Sequence, residues 1–186
     1  MAYLFDPEEL HDIAKLAIGK KPRSEIFAAV EDALAARYPK HIARDTPWIF
    51  NNAGGAMGQI KVLHGSLTEY LLIFGTPIGT QGHSGRYRTE VFDYMLDGEM
   101  WCYQAGEFQR TVFKPGDLAY LGADQAKGYA LPNGGFMLEY ARGFVPSMLP
   151  FGLADTLFST RDGATLGRTI WHYGKLTVRE LLQGKI

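Results

Sequence analysis

The sequence predicts a mainly β protein, a sandwich or barrel, with helices at both ends of the chain. Twenty-two glycines punctuate the 186 residues, and short apolar runs alternate with glycine turns in the central half. Turn signals about 8 to 12 residues apart are typical of antiparallel sandwiches and barrels. Outside this region, apolar residues recur at helical spacing. We therefore expect one domain over residues 1–186, built from N-terminal helices (1–40), a β-barrel (48–143) and C-terminal helices (147–186).

Two helices are predicted before the β region. The stretch Asp-Pro-Glu-Glu at residues 6–9 supplies an N-cap, a proline at the first position and acids that suit the positive end of a helix dipole. Gly19 is expected to end this helix. Ser24 is expected to cap a second helix, which runs through Leu34 and ends before Pro39.

One passage of the β region is more specific than the rest. Residues 96–122, LDGEMWCYQAGEFQRTVFKPGDLAYLG, read as strand, turn, strand, a Pro-Gly-Asp turn and strand. This order resembles the centre of a cupin barrel, which has a jelly-roll fold. We therefore predict that the β region is a cupin-like jelly-roll barrel.

Two further helices are predicted after the β region. An apolar segment from Met148 to Phe158 forms the first, and Asp162 is placed to cap a second that runs to Leu181. We expect both helices to pack onto the barrel. The polar residues of the second helix also suit an anionic membrane surface, so peripheral membrane contact is the alternative role.

Composition limits the class of protein. The chain is 46% hydrophobic and 21% charged, which is typical of a globular domain with a substantial core. The formal net charge is −1 and no basic run stands out, so we predict no nucleic-acid partner. The single cysteine, Cys102, cannot form an internal disulfide and is interpreted as a small strand residue. We expect a cytoplasmic protein without a signal peptide or spanning helix, soluble or peripherally bound to a membrane.

The histidines do not predict a metal site. None of the five lies two residues from another, whereas a metal needs three or four convergent ligands. We therefore predict no metal. His83 is interpreted as a structural residue of the turn GHSGR, and Ser84 lacks the context of a nucleophile elbow. The G-x-x-x-G at residues 54–58 is interpreted as close backbone packing.

Two acidic residues stand out because each lies on an apolar face of a predicted strand. Residues two apart in a strand share a face. If both faces point inward, Glu139 and Asp93 can meet in an apolar cavity; a solvated face is the alternative for each. The neighbours on these faces are Met137 and Ala141 for Glu139, and Val91 and Met95 for Asp93. Other acids are expected at helix starts, strand ends or turns, where solvation is easy: Glu8, Glu9, Glu69, Asp97, Glu99, Glu107 and Asp117.

A buried pair of carboxyl groups has chemical consequences. Two neighbouring carboxylates cannot both ionise cheaply, so the pair shares a proton and offers one acid and one base. Such a pair can protonate an apolar substrate and remove a different proton, which is the task of an isomerase. It can also simply bind an ammonium group. A third reading is a structural cupin whose barrel is filled with side chains. The residues alone leave these alternatives open.

Four segments resemble one family. They are NNAGGAMG (51–58), SLTEYLLIFGT (66–76), GHSGRY (82–87) and RGFVPSMLPFGLADTLFST (142–160). They are similar to segments of the fungal C-8 sterol isomerase and sigma-1 receptor family. The resemblance implies a cupin-like barrel around an elongated apolar cavity, no cofactor, and assembly as a homotrimer with the glycine-rich segment near the subunit contact.

The resemblance also assigns site residues. It places the ligand-contacting glutamate at Glu139, its partner aspartate at Asp93 and a nearby tyrosine at Tyr70. The family's tryptophans in the glycine-rich segment and the pocket are replaced here by Ala56 and Leu131, which implies a cavity of different shape. Apolar lining residues are implied at Ile60, Leu72, Phe74, Val91, Leu131 and Leu149.

The functional expectation follows from these acids. The resemblance implies a sterol Δ8-to-Δ7 double-bond isomerase, or an isomerase of a related polycyclic lipid, which uses the Asp93 and Glu139 pair for proton transfer. The alternative is a non-catalytic, receptor-like binder of cationic amphiphiles or lipids. Because coupled carboxyl groups titrate as a pair, the sequence leaves open which one carries the proton.

Overall fold

The computed structural model describes residues 3–186, so the first two residues of the predicted N-terminal part lie outside the described residues. In this part of the chain, helices flank a β region as the sequence predicts. The helices are α1 (Pro7–Leu16), α2 (Arg23–Arg37), α3 (Leu149–Phe158) and α4 (Gly163–Leu182), with a short 3-10 helix at Val145–Met148. The strands are β1 (Ile49–Ala53), β2 (Ala56–Gly65), β3 (Glu69–Thr76), β4 (Thr80–His83), β5 (Thr89–Gly98), β6 (Met100–Tyr103), β7 (Thr111–Phe113), β8 (Leu118–Leu121), β9 (Gly128–Leu131) and β10 (Gly135–Gly143).

The strands form two antiparallel sheets. The six-stranded sheet has the order β1-β2-β3-β10-β5-β8, and the four-stranded sheet has the order β4-β9-β6-β7. Non-consecutive neighbours such as β3 and β10 show that the chain crosses between distant strands, as in a jelly roll. The fold is therefore the predicted cupin-like jelly roll. The prediction of a closed barrel was wrong, because the strands form two sheets that are not joined to each other by strand pairing.

The six-stranded sheet separates two layers of the core. Strand residues alternate between its faces. Leu71 and Tyr94 point to the outer face, where they pack with α1 and α2 residues such as Leu10 and Leu34. Leu72 points to the opposite face, toward the four-stranded sheet and the C-terminal helices. The N-terminal helices therefore cover one face and leave the other to enclose a cavity.

Two of the helix starts that the sequence predicts are confirmed by side-chain caps. The Asp6 carboxylate accepts hydrogen bonds from the backbone N–H groups of Glu8 and Glu9, at 2.9 and 3.0 Å. The Asp162 carboxylate caps α4 by accepting from the N–H of Thr165 at 3.0 Å. Helix α2 ends at Arg37, before Pro39, as expected. Its predicted cap was wrong: α2 begins at Arg23 and has no side-chain cap, with Ser24 already inside the helix.

The glycines of the G-x-x-x-G motif allow close packing. Gly54 has a positive φ of 61°, and a Cβ built there would lie 2.3 Å from the backbone oxygen of His83. A Cβ on Gly58 would lie 2.8 Å from the backbone oxygen of Gly75. Since real side chains do not tolerate such distances, close backbone packing is confirmed as the reason for these glycines.

The C-terminal helices close one side of the sheet region. Helix α4 is held near its middle by the Tyr173 hydroxyl, which donates to the Ser66 carbonyl at 2.5 Å. Near its end, the Glu180 carboxylate lies 2.6 Å from His41 Nδ1, within hydrogen-bond distance. Among residues 3–186, no helix combines the length and the hydropathy that crossing a bilayer requires.

Candidate active site

A cavity of about 330 Å³ lies between the two sheets and the C-terminal helices. Its walls are mostly apolar and come from strands β2, β3, β5 and β10 and from α3 and α4. A side-chain-filled barrel predicts no such space, so the reading of the chain as a purely structural cupin was wrong. Concave apolar sites with a few convergent polar groups are the usual form of small-molecule sites.

The structure brings most of the predicted site residues to this cavity. Asp93, Glu139 and Tyr70 lie in its wall together with five of the predicted apolar residues. Leu131 is the exception: it is fully buried and packs with Met95 and Met100 in the core beside the cavity. The apolar residues in the wall are Ile60, Leu72, Phe74, Val91 and Leu149.

Strand register places the two acids side by side. Glu139 on β10 is the direct cross-strand partner of Asp93 on β5. On its other side, Glu139 pairs with Leu72 on β3. Because both acids are central residues of paired antiparallel strands, their side chains project to the same face of the sheet. The strand alternation in the sequence thus leads to a real pair on the cavity face.

Asp93 has a partner that sequence reasoning missed. The Lys127 ammonium donates to Asp93 Oδ2 at 2.6 Å, and both side chains are buried. The other carboxylate oxygen, Oδ1, is buried without a hydrogen-bond partner among the described residues. Burial lowers the pKa of Lys127, but the attraction and hydrogen bond of Asp93, together with smaller effects of Cys102 and Glu139, raise it, and the net pKa is raised. The geometry therefore describes a buried ion pair between Lys127 and Asp93.

The backbone fixes Lys127 in place just before β9. Its N–H donates to the Ser84 hydroxyl at 2.9 Å, and its carbonyl accepts from the Ser84 N–H at 2.9 Å. Through these two hydrogen bonds, Ser84 of the GHSGR turn fixes the backbone of Lys127, which is a structural role. In the same turn, the Gly85 N–H donates to His83 Nδ1 at 2.9 Å, so His83 makes a hydrogen bond within the turn, and its ring also borders the cavity.

Glu139 is the less satisfied of the two acids. Its side chain borders the cavity, so it retains some accessible surface although protein surrounds it. Its hydrogen-bond partner among the described residues is the Tyr70 hydroxyl, which donates to Oε1 at 2.5 Å. Burial and the nearby Asp93 charge raise the pKa of Glu139 to about 7, while Tyr70 and Lys127 act in the opposite direction. A pKa of about 7 means that Glu139 is partly protonated near neutral pH.

A second buried glutamate corrects a prediction. Glu69, expected to be easily solvated, is fully buried at the start of β3. Its carboxylate accepts from the N–H of Leu4 at 2.9 Å and of Phe5 at 3.2 Å, and from the Tyr140 hydroxyl at 2.6 Å. The Lys185 ammonium lies 2.6 Å away. Glu69 faces the N-terminal segment, so it connects both chain ends to the sheet and takes no part in the cavity.

One cluster outside the cavity has the donor atoms of a metal site. In His41, His64 and Glu180, one ligand atom each lies within 4.8 Å of the others. Hydrogen bonds already account for this arrangement, because His64 Nδ1 lies 3.0 Å from the His41 carbonyl and His41 Nδ1 lies 2.6 Å from Glu180. The cluster connects α4 to β2 and the segment before β1. The absence of a metal stays a prediction.

Fold and site together define a class of protein: a two-sheet β domain with an internal site for an apolar small molecule and an acidic group at its polar end. The family model described as ERG2 and Sigma1 receptor like protein matches residues 1–185, and the chain belongs to this family. The resemblance predicted from the four sequence segments is thereby confirmed.

Individual relatives agree with this membership. The C-8 sterol isomerase of Neurospora crassa is 44% identical over 187 residues, covering 98% of this chain and 73% of the relative. The sigma non-opioid intracellular receptor 1 of Danio rerio is 42% identical over 180 residues, covering 96% of this chain and 81% of the relative. Among solved structures, an RmlC-like cupin from Shewanella frigidimarina has a TM-score of 0.45 at 18% identity, covering 54% of this chain and 86% of its own.

Proposed function

We propose that this chain is an isomerase that moves the ring double bond of a sterol, or of a related polycyclic lipid, from the Δ8 to the Δ7 position. The observation that carries the proposal is Glu139, a proton-exchanging carboxyl group beside the Asp93 carboxylate at the polar end of an apolar cavity. Relatives named C-8 sterol isomerase, at 41 to 44% identity over nearly the whole chain, support it.

The first step is protonation of the alkene. Protonated Glu139 gives its proton to carbon 9, the carbon 8–carbon 9 double bond supplies the electron pair, and a cation remains at carbon 8. An acid with a pKa near the working pH is both present in its protonated form and ready to release the proton. The raised pKa of Glu139 meets this requirement, whereas a solvated glutamate is almost fully ionised near neutral pH.

The net charge of the site becomes negative at the same step in which the substrate becomes a cation. Before proton transfer, the Asp93 carboxylate and the Lys127 ammonium cancel, and protonated Glu139 is neutral. After proton transfer, Glu139 is a carboxylate and the site carries one net negative charge. This charge appears as the ring becomes cationic, so its attraction stabilises the transition state more than the neutral substrate.

The second step restores neutrality. The carbon 7–hydrogen bond breaks, its electron pair forms the carbon 7–carbon 8 double bond, and the carboxylate pair accepts the proton. No redox change occurs, and the proton balance is zero. The apolar walls, which include Phe74 and Leu149, exclude water that would otherwise trap the cation.

Isotope incorporation tests this mechanism. The protein is equilibrated in deuterated water so that the Glu139 carboxyl carries deuterium, and an 8-ene sterol is then added. The expected product is the 7-ene with deuterium at carbon 9, and its rate falls as pH rises through about 7, because Glu139 must be protonated. A protein that turns over no 8-ene, or a product without deuterium at carbon 9, would contradict the proposal.

The second candidate function is binding of a cationic amphiphile without catalysis. An ammonium group resembles the proposed cation, so ionised Glu139 and Asp93 suit it as well. The relatives named sigma non-opioid intracellular receptor 1 favour this candidate. Turnover of an 8-ene distinguishes the two functions, while ammonium binding that is unchanged by Glu139→Gln would argue against both.

Assembly and location complete the proposal. The family resemblance supports a homotrimer, which sedimentation of the purified protein would test. Peripheral membrane contact through the C-terminal helices is supported by exposed apolar side chains on α3 and α4, and we expect a cytoplasmic protein that co-floats with anionic vesicles. These side chains are Leu157, Phe158, Ile170, Trp171, Val178, Leu181 and Leu182.

A further inference from the structure

A buried ammonium group is an unexpected component of a site that stabilises a cation. Lys127 lies in the cavity wall with Asp93 and Glu139, and its relative side-chain exposure is 8%. Burying an ammonium group is costly unless it is paired, and Asp93 at 2.6 Å supplies the pair. Apolar residues at both position 93 and position 127 would avoid the cost of burying the pair. The ion pair therefore calls for a functional reason.

We propose that Lys127 is a specificity-determining residue. Its charge cancels that of Asp93, so the polar end of the cavity has no net charge before proton transfer, and the site favours a neutral alkene over an ammonium compound. This inference rests on the proposed function, because it explains how one pair of acids serves catalysis without a cationic ligand occupying the site. Lys127 acts through Asp93, whose carboxylate it neutralises, and it is a positioning residue rather than a proton donor.

The argument is a count of charges at the polar end of the cavity. With Lys127 present and Glu139 protonated, the charges are +1, −1 and 0, so a cation gains no net attraction on entry. Without Lys127, the same protonation state has a net charge of −1 before any chemistry occurs. A permanent negative charge stabilises a bound ammonium ion as much as it stabilises the transition state, so it aids binding without aiding turnover.

The pH dependence follows from the same count. In the native protein an ammonium ligand meets net negative charge only after Glu139 loses its proton, so affinity should rise with pH through about 7. Removing Lys127 should raise the pKa of Glu139, because the Lys127 charge lowers it. The other ionisable groups in the wall are His83 and four tyrosines: Tyr70, Tyr87, Tyr129 and Tyr173.

The test compares binding of a permanently charged probe with binding of a neutral one. Dodecyltrimethylammonium, below its micelle concentration, keeps its charge at every pH, and 1-dodecanol is its neutral counterpart. Affinities are measured by calorimetry at pH 6 and pH 8 for the native chain and for Lys127→Met. Lys127→Gln is the second variant, which removes the charge but keeps a donor for Asp93.

The matched control is Lys61→Met. Lys61 is also a paired lysine on a strand, with its ammonium 2.7 Å from the Glu31 carboxylate, but it lies on the face of the sheet that carries α2. This variant removes the same charge from the protein and leaves the cavity unchanged.

We expect Lys127→Met and Lys127→Gln to bind the ammonium probe about tenfold more tightly than the native chain at pH 6, about 1.4 kcal/mol, with 1-dodecanol unaffected. The native chain should gain about tenfold in ammonium affinity between pH 6 and pH 8, and so should the Lys61→Met control. In isomerase assays, Lys127→Met should lower kcat and move the basic limb of the pH profile upward, since Glu139 becomes a weaker acid.

Two results would overturn the inference. One is equal ammonium affinity in the native chain and the folded Lys127 variants at pH 6. The other, which needs no variant, is an ammonium affinity of the native chain that does not change between pH 6 and pH 8. Failure of the native chain to isomerise an 8-ene sterol would overturn the proposed function instead, because the ammonium measurements do not depend on turnover.

Discussion

Two buried glutamates on neighbouring strands have opposite surroundings. Glu69 on β3 has four donors around its carboxylate: two backbone N–H groups, the Tyr140 hydroxyl and the Lys185 ammonium. Glu139 on β10 has one, the Tyr70 hydroxyl, and faces a cavity that also holds the Asp93 charge. The donors around Glu69 tie its carboxylate to both ends of the chain, whereas burial and the Asp93 charge raise the pKa of Glu139 to about 7. Burial alone therefore does not distinguish the two acids; their surroundings do.

The largest expected effect lies at Glu139. Glu139→Gln removes the exchangeable proton while preserving the shape of the side chain and a polar contact for Tyr70. We expect turnover of an 8-ene sterol to fall by about 10²- to 10⁴-fold, the usual contribution of a general acid, while the protein stays folded. Steady-state kinetics and circular dichroism measure the two quantities. A variant with native kcat would mean that Glu139 is not the proton donor.

The same residue predicts an unusual dependence of stability on pH. Burial and the Asp93 charge raise the pKa of Glu139 in the folded protein to about 7, above its ordinary value of 4.5, so the folded protein binds the proton more tightly than the unfolded chain. This contribution is complete below about 4.5 and is lost as pH rises to about 7, a decrease of about 3 kcal/mol in the free energy of unfolding. Urea denaturation between pH 5 and pH 8 should show the decrease in the native chain and not in Glu139→Gln.

Glu69→Gln should give the opposite combination. The substitution weakens the hydrogen bonds that hold Leu4 and Phe5 and removes the ion pair with Lys185. We expect a loss of about 2 kcal/mol in the free energy of unfolding, by the cost of disrupting a buried charged network. The folded fraction should keep native kcat, because Glu69 lies on the face away from the cavity. Loss of kcat without loss of stability would contradict the comparison of the two glutamates.

The sequence predicts the surroundings of Glu139 better than those of Glu69. Strand alternation is a local rule, so it places Glu139 and Asp93 on apolar faces, and the jelly-roll order is consistent with their neighbouring strands. Glu69 was assigned to an easily solvated strand end, because its anchors come from residues 4 and 5 and from Lys185, at the two ends of the chain. Such contacts depend on how the whole fold closes, and no local pattern predicts them.

Lys127 was missed for a related reason. It stands between Ala126 and Gly128 in a turn segment, where a lysine is normally solvated. Its position depends on hydrogen bonds between its backbone and Ser84, which lies in a turn 43 residues earlier in the chain. The GHSGR turn was recognised as structural from its glycines and polar residues, but the sequence does not show what it holds. Conversely, Leu131 was assigned to the cavity wall by resemblance and lies in the core beside it.

The smallest predicted effect on turnover is at Tyr70, whose hydroxyl donates to Glu139. Tyr70→Phe removes the hydroxyl that stabilises the Glu139 carboxylate, and this hydrogen bond lowers the pKa of Glu139. Without it the pKa of Glu139 should rise, so the basic limb of the pH–rate profile should move to higher pH. We expect kcat at pH 6 to fall by less than about tenfold, because one hydrogen bond to a charged group contributes about 1.5 to 3 kcal/mol and only part of it acts on the transition state.

The matched control for Tyr70→Phe is Tyr140→Phe, which removes the hydroxyl that donates to Glu69. It should lower the free energy of unfolding and leave the position of the basic limb unchanged. If both variants moved the limb equally, the two glutamates would be coupled through the sheet, and their surroundings would no longer separate the structural acid from the functional one. If only Tyr70→Phe moves it, a single hydroxyl accounts for part of the difference between an anchored carboxylate and one that exchanges its proton near neutral pH.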